Sequence, residues 1–575
     1  MDVRASYEQW LRDFANDEDT VKDLLAIKDD DKEIEDRFYT ELSFGTAGLR
    51  GVLGAGTNRM NEYNVRRATM ALGKYILREA GQAERGVVIA YDSRRFSDTF
   101  AKQAALTLAN VGVKAYLFDA LRPVPELSFS VRHLNAIAGI VITASHNPKQ
   151  YNGYKVSWED GGQMPPERAG IIEGLIHETS YQEAVAMDEK EAVEKGLLVV
   201  IGKEVDDAYI ANVRKLSISP ELGRELGDTM KIVYTPLHGS GNVPVRRILK
   251  EMGYSQVYVV PEQELPDPEF PTVRVPNPED PAAFELALKL QKELNADVVF
   301  GTDPDCDRVG IAVLDGEGKV HALTGNQIGC LLLNYILDRK SAKGELPKNA
   351  AAVKSIVTTE MATAICKAYG CEMIDVLTGF KYIAEQIQLF SETGEHTFMF
   401  GFEESCGYLS GVDVRDKDGV NASMLIAETA AWYKTQGMTL YDGLQALYQK
   451  FGYYDAKVTS FGLAGKDGLS KMAQLMIDLR ADAPAEFAGK KVLAVRDYKA
   501  GTRVSAAGTE KLAQPETNAL YYELEGEAWI CIRPSGTEPK VKLYVNAVTG
   551  SSAATSQLLT ELSDAAVALL NSKIN

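Results

Sequence analysis

The sequence predicts an α/β protein of three related mixed α/β (βαβ) domains followed by a smaller α+β domain. Three observations carry that prediction. Short apolar runs alternate with longer amphipathic segments, the alternation recurs along the chain, and its style changes after about residue 455. Such alternation implies largely parallel sheets with helices on their faces. The length of 575 residues exceeds what one hydrophobic core holds and gives a prior of roughly four domains. The divisions fall at 1–205, 206–322, 323–452 and 453–575.

The first unit holds an apolar run from Gly86 to Asp92, a helical stretch from Phe100 to Asn110, a strand from Lys114 to Phe118 and a strand from Ala136 to Thr143. In parallel sheets, sites collect at the carboxyl ends of strands, and Ser145 sits just past one. A second unit opens at Lys231–Pro236, and its strand Ala296–Gly301 runs into an acidic loop. The segment Pro261–Pro281, rich in Pro, Glu and Asp, reads as a long surface loop. A third unit contains Ala351–Val357 and Thr397–Phe400. The last domain reads as a strand, two helices and the strand pair Ala528–Ile532 and Lys540–Val548.

Composition excludes several classes. A hydrophobic fraction of 45% and a charged fraction of 25% are ordinary for a globular protein. The net charge of -19 argues against nucleic-acid binding through a broad basic face. A phosphate would be held only where Arg, Lys, backbone N–H groups or a metal reverse the sign locally. The six cysteines form no CxxC pair and read as free thiols of a reducing compartment. The first residues do not form a secretory signal, and no apolar run approaches ~18 residues. The expectation is a cytoplasmic protein without nucleic-acid or membrane partners.

Three loops carry chemistry. Asp303, Asp305 and Asp307 alternate between two strands, which puts three carboxylates on one side, an arrangement suited to a hard cation. A solvated acidic turn explains a lone DxDxD equally well. An EF-hand is excluded, because its sixth position is Arg308 and its twelfth is Leu314. Arg308 would add a phosphate-binding fork beside the metal. Ser145 lies in Thr143-Ala144-Ser145-His146-Asn147-Pro148 without a G-x-S-x-G elbow. Neighbouring side chains on an extended chain point apart, which argues against His146 as its base. A hydroxyl that accepts a phosphoryl group beside a metal fits better, although a turn residue before Pro148 is the simpler account of Ser145 alone. Lys155, ten residues on, could stabilise charge near the same strand end. In Arg533-Pro534-Ser535-Gly536-Thr537, two hydroxyls, a glycine and a bidentate arginine are what a dianionic phosphate needs. A hairpin turn explains Gly536 but not the bracketing Arg533 and Lys540. In a fourth loop, Gly401 to Gly407, paired carboxylates and a hydroxyl suit sugar hydroxyls, and an acidic helix cap is the plainer reading.

With T-A-S-H-N-P, D-P-D-x-D-R, G-x-E-E-S and R-P-S-G-T-E-P in order, one per domain, the chain resembles the α-D-phosphohexomutase superfamily over nearly its full length. The resemblance implies a central cleft between phosphoserine, metal-binding, sugar-binding and phosphate-binding domains, the last more mobile. It implies interconversion of glucose 1-phosphate and glucose 6-phosphate through glucose 1,6-bisphosphate, with one Mg²⁺ per chain. By motif, Ser145 is similar to the phosphoserine, and Asp303, Asp305 and Asp307 with Ser145 to the metal ligands. Lys155, His146, Arg308 and Lys417 complete the implied catalytic set. Glu403 and Ser405 resemble the sugar readers, Thr378, Gly379 and Lys381 a sugar-specificity loop, and Arg533, Ser535, Gly536 and Thr537 the distal phosphate clamp. Arg50 and Arg94 lie in segments similar to the arginine-bearing ones near the active serine, and the resemblance implies that both bind substrate. Small sugar phosphates are the implied partners, and the chain is expected as a monomer or homodimer. Members acting on both mannose and glucose phosphates often read G-E-M-S-G-H where this chain has Glu404 and Gly407, and the G-F-E-E-S form also occurs in relatives acting on pentose phosphates. A metal-dependent phosphatase would need no second phosphate clamp, and a sugar-phosphate sensor would need no phosphoryl acceptor.

Overall fold

A computed structural model describes residues 2–46, 48–315, 317–462, 468–535 and 540–574. Four sheets follow one another along the chain. The first contains β1 (Leu49–Val52), β2 (Val87–Tyr91), β3 (Ala115–Phe118), β4 (Ala138–Ile142), β5 (Tyr151–Trp158) and β6 (Leu198–Ile201) in the order β1-β5-β4-β2-β3-β6. Its central strands β2 and β4 are apolar runs because separate clusters cover the sheet's two faces, one with Ile89, Ile140 and Leu108, the other with Val88, Val141 and Leu127.

The second sheet contains β7 (Ile232–Thr235), β8 (Val257–Val259), β9 (Val298–Thr302), β10 (Val309–Leu314) and β11 (Val320–Leu323), in the order β11-β10-β9-β7-β8. The third orders β12 (Ala350–Ser355), β13 (Glu372–Val376), β14 (Thr397–Glu403) and β15 (Gly407–Leu409) as β13-β12-β14-β15.

The sheets are mixed, where largely parallel ones were expected. β2, β3 and β6 pair in parallel with their neighbours, but β4 and β5 run antiparallel, as do β9 and β10, and β14 and β15. The reason is loop length: a parallel return needs a crossover of a dozen or more residues. The segments after β4, β9 and β14 are too short and must turn back at once. In each turn one non-glycine residue takes a left-handed backbone: Ser145 (φ 52°), Cys306 (φ 52°) and Cys406 (φ 59°). The three domains thus share one device, a buried parallel strand ended by a strained hairpin.

The fourth sheet is antiparallel throughout. It orders β16 (Tyr453–Gly462), β18 (Lys490–Asp497), β19 (Thr502–Ser505), β20 (Gly508–Lys511), β21 (Leu520–Leu524), β22 (Trp529–Pro534) and β23 (Lys540–Thr549) as β16-β23-β22-β21-β18-β19-β20, with β17 (Glu486–Phe487) against β18. Helices Gly468–Ala481 and Ser552–Ile574 bury Leu475, Leu479, Leu562 and Leu570 against it. The sequence reading found the helices and the last strand pair but missed the short strands between, since β20 is exposed along its length and carries no alternation. It also missed three N-terminal helices, Val3–Asp13, Glu18–Ala26 and Asp31–Phe38, which build their own cluster around Trp10 and Phe38. All six cysteines are buried free thiols, and no helix among the described residues is long and apolar enough to cross a membrane.

Residues 261–281 are not a plain surface loop. They begin with helix Pro261–Glu264, and the ring of Phe270 is only 2% exposed.

The helix Gly419–Thr435 is buried along most of its length and joins the cores of the second and third domains. Asp418 caps it: Val420 N–H, Asn421 N–H and the Tyr209 hydroxyl donate to its Oδ1, while Oδ2 has no partner among the described residues. Burial pushes this carboxyl up to about 6. The folded state holds its proton more tightly than an unfolded chain does, so Asp418 withdraws stability as pH rises from about 4 to about 6. Asp418→Asn is expected to unfold at higher urea than the parent above pH 6 and at the same urea below pH 4. Parallel stability curves for the two proteins across that range would contradict it.

Candidate active site

Because the backbone at Ser145 turns left-handed, its hydroxyl leaves the strand line and meets the second domain. Ser145 Oγ donates to Asp303 Oδ2 at 2.8 Å. The loop is braced from below: Ser145 N–H donates to Thr143 Oγ1 (2.8 Å), and Thr143 Oγ1 donates to the buried Asp92 Oδ2 (2.6 Å). Arg94 braces it from the side. Its Nη2 donates to the carbonyls of Ser145 (2.6 Å) and Asn147, and its Nη1 to those of Pro148 (3.0 Å) and Tyr151 (3.1 Å). The expectation that Arg94 binds substrate therefore changes: its Nη donors all serve the loop. Arg50 is exposed, with Nη1 3.5 Å from Asn147 Oδ1.

The argument that His146 must point away from Ser145 fails for the same backbone reason. An extended chain would separate the two side chains, but the turn brings His146 Nδ1 to 3.2 Å from Ser145 Oγ. Burial, with Arg308 nearby, pushes the imidazole down to about 2.

Asp303, Asp305 and Asp307 are almost wholly buried, with one carboxylate oxygen of each within 4.8 Å of the others. Burial beside two further carboxylates pushes Asp303 well above the usual range. Asp305, equally buried, is held below it by Lys155. Lys155 Nζ lies 2.8 Å from Asp305 Oδ2 and 3.8 Å from Asp307 Oδ2, and Lys417 Nζ lies 3.2 Å from Asp307 Oδ2 and 2.8 Å from Asp416 Oδ1. Even so, Asp305 Oδ1 and Asp307 Oδ1 are buried without a hydrogen-bond partner. Orphaned buried carboxylate oxygens facing hard-ligand neighbours fit a divalent cation. Arg308, which follows, pairs with Glu279.

The acidic loop is fastened by backbone bonds to each of the first three domains. Val124 N–H donates to Asp305 O (3.0 Å), Ser240 N–H and Oγ to Pro304 O (both 2.8 Å), and Gly419 N–H to Cys306 O (3.1 Å). Gly419 is required there, since a Cβ would lie 2.5 Å from Cys306 O. Val309 N–H donates to Cys406 O (3.1 Å), and Arg308 bridges Gly407, which draws the third-domain loop to the acidic one.

In that third-domain loop Glu403 Oε1 accepts from Gly379 N–H at 2.7 Å, so the segments 378–381 and 401–407 meet. Gly379 has φ 118°, a conformation open to glycine. Thr378 and Ser405 are half-buried, and Lys381 Nζ lies 4.8 Å from the Tyr382 ring. The alternative of an acidic helix cap falls away, because strand β15 and not a helix follows Glu404. Glu404 instead accepts from Ser355 Oγ at 3.2 Å, and burial with Glu403 pushes it up to about 7.

In the fourth domain, Trp529, Cys531 and Tyr544 pack against Ile356, Val357 and Leu377 of the third. Arg533 follows on β22 opposite Lys542, and Ser535 N–H donates to Lys540 O at 2.7 Å. Gly536 and Thr537 lie outside the described residues.

Four domains described as phosphoglucomutase/phosphomannomutase match this chain: alpha/beta/alpha domain I over residues 41–183, domain II over 207–316, domain III over 324–451 and the C-terminal domain over 480–565. The chain belongs to the phosphoglucomutase/phosphomannomutase family. It is 37% identical over 532 residues to a phosphoglucomutase of Staphylococcus epidermidis, covering 92% of this chain and 95% of the relative. It is 36% identical over 543 residues to one of Staphylococcus aureus, covering 94% and 95%. Its fold is similar to that of a phosphoglucomutase/phosphomannomutase family protein from Burkholderia thailandensis (TM-score 0.65, 19% identity, 92% and 97% covered). It is also similar to that of the phosphoglucomutase pp63/parafusin from Paramecium (TM-score 0.66, 18% identity, 92% and 96% covered). Seen as a member of this phosphoglucomutase/phosphomannomutase family, the chain carries Ser145, the three aspartates, Glu403 and Arg533 in successive matched domains. Sequence reasoning missed Asp92 and Thr143, the props beneath Ser145. Thr143 opens the quoted serine motif and Asp92 ends the apolar run from Gly86, and both were read for their neighbours instead.

Proposed function

We propose that this chain is a phosphoglucomutase that interconverts glucose 1-phosphate and glucose 6-phosphate through phosphorylated Ser145 and glucose 1,6-bisphosphate. The observation that carries the reading is the 2.8 Å contact between Ser145 Oγ and Asp303, inside a cluster whose charge is only partly offset by Lys155 and Lys417. The relatives named phosphoglucomutase support the glucose assignment.

Phosphoserine 145 gives its phosphoryl group to the free hydroxyl of the bound hexose phosphate. The bond from phosphorus to Oγ breaks, the new bond to the sugar oxygen forms, and the hydroxyl proton is lost to a base. The resulting bisphosphate turns end for end, and its other phosphate returns to Ser145 Oγ. Asp303, Asp305 and Asp307, with Ser145, would hold Mg²⁺, which when bound supplies charge stabilisation to the transferring group. Lys417, whose Nζ lies 3.2 Å from Asp307 Oδ2 and 2.8 Å from Asp416 Oδ1, is by motif the candidate to take that proton. His146 Nδ1 aims Ser145 Oγ. Glu403 and Ser405 read sugar hydroxyls in both orientations, and Arg533 with Ser535, Gly536 and Thr537 grips the phosphate that is not reacting.

A substrate panel with catalytic glucose 1,6-bisphosphate tests the proposal. Conversion of glucose 1-phosphate to glucose 6-phosphate, with a phosphate-sized mass increment on Ser145, is expected. Faster turnover of pentose or mannose phosphates would reassign the substrate, and release of inorganic phosphate without isomer formation would reject the mutase. Arg533→Ala is expected to weaken sugar-phosphate binding by about 2–4 kcal/mol, as loss of a desolvated charged contact does. Unchanged affinity in that variant would remove Arg533 from the clamp.

A further inference from the structure

One segment of the second domain reaches across to hold the loop of the first domain that carries Ser145. It is anchored at home. His238 hydrogen bonds through Nδ1 to Leu265 O (3.1 Å) and through Nε2 to Thr272 Oγ1 (3.0 Å), and Gln263 Nε2 donates to Thr272 Oγ1 (3.0 Å). From this base the Phe270 ring covers the Arg94 guanidinium, 5.2 Å from Cζ to the ring centroid. Beside it, Glu269 pairs with Arg95 and with Lys149 (3.1 Å), which flank the same loop. Farther along, Glu279 takes Arg308. Phe270 adopts φ 45°, a left-handed conformation costly for an aromatic residue, which persists only where surrounding contacts impose it.

The arrangement has one mechanical reading. The Arg94 donors tie together the carbonyls of Ser145, Asn147, Pro148 and Tyr151. A guanidinium open to water would exchange those carbonyls for solvent. The aromatic face that covers it is attracted to its charge and keeps water off that side. The second domain, which owns the aspartates, thereby also sets the shape of the loop that owns the serine.

We propose that Phe270, assisted by Glu269, is a positioning residue for phosphoryl transfer at Ser145, acting through Arg94. This rests on the mutase reading above for its effect on turnover, but not for its effect on the loop. Phe270→Leu stays apolar but is smaller and removes the aromatic face; Phe270→Tyr keeps the face and adds one hydroxyl. Amide hydrogen exchange of the full-length proteins is the first readout. Phe270→Leu is expected to speed exchange across residues 144–152 by about three- to thirty-fold, the span that a cation–π contact is worth. Exchange in strand β2 stays unchanged, and Phe270→Tyr behaves as the parent. The second readout is turnover of glucose 1-phosphate: Phe270→Leu is expected to lower kcat by about ten-fold with KM within about two-fold, as misalignment of a reacting atom does.

If the parent interconverts no sugar phosphate, the functional reading fails while the exchange experiment still decides the positioning role. Parental loop exchange in Phe270→Leu, or equal damage in Phe270→Leu and Phe270→Tyr, overturns it. Should Phe270→Leu fail to fold, Glu269→Gln, at the partly exposed end of the contact, takes its place: faster exchange in the same loop supports the role, and parental exchange ends it.

Discussion

Ser145→Ala is expected to lower turnover of glucose 1-phosphate by about 10⁵- to 10⁶-fold, the scale seen when an enzyme loses its nucleophile. The nearby hydroxyl of Thr143 is not placed to take over. Thr143 Oγ1 is fully buried and committed to Asp92, and it stands below the loop. The fold is expected to survive. The loop keeps the Ser145 N–H bond to Thr143 and the four carbonyl bonds to Arg94, none of which involves the serine hydroxyl. The lost Asp303 contact costs about 1–3 kcal/mol, the usual penalty for leaving a buried acceptor short of a donor. Kinetics with glucose 1,6-bisphosphate and intact-protein mass measure both halves. An alanine variant that turns over at the parental rate, or that still gains phosphate, would remove Ser145 from the reaction.

Asp303→Asn separates stability from activity with opposite signs. Three carboxylates this close repel by several kcal/mol in aggregate, and two lysines offset only part of that. Asparagine keeps an oxygen for the N–H groups of Asp307 (3.1 Å) and Arg308 (3.0 Å) and removes one charge. Without divalent metal the variant is expected to melt above the parent. With magnesium the order reverses, because the parent gains binding free energy that the variant has lost. Turnover is expected to fall by at least about 10²-fold, since replacing even an outer-shell partner of a metal costs up to that much. Thermal unfolding with and without magnesium, alongside turnover, checks the pair. A variant that magnesium stabilises as strongly as the parent would disprove the metal role of Asp303.

The sequence was legible where side-chain type alone defines a function. Three aspartates at alternate positions, a serine past a strand end and an arginine before a Ser-Gly turn announced their chemistry. The order of the domains was readable from alternation of apolar runs. What stayed hidden depends on backbone turns and on distant partners. The position of His146 follows from φ at Ser145, which no residue type nearby dictates. Arg94 reads as a substrate-binding residue until its carbonyl partners are known, and Phe270 reads as one apolar residue in a polar loop. Lys417 sits 110 residues from Asp307, a separation that no local pattern spans. The short strand β20 lacks the alternation that would mark it, because it is exposed along its length.

The fastening of the acidic loop divides the molecule into a stiff part and a sliding part. Directional bonds from Val124, Ser240 and Gly419 act like a rivet through three domains, so rotating any one of them would tear the cation site. The seam between the third and fourth domains is instead filled by aromatic and aliphatic side chains such as Val357, Leu377, Trp529 and Tyr544. Such a surface carries few directional bonds; among the described residues Gln514 Nε2 donates across it to Asp375 O at 2.9 Å. A displacement along that greasy seam leaves the cation site whole, whereas one between the first three domains does not.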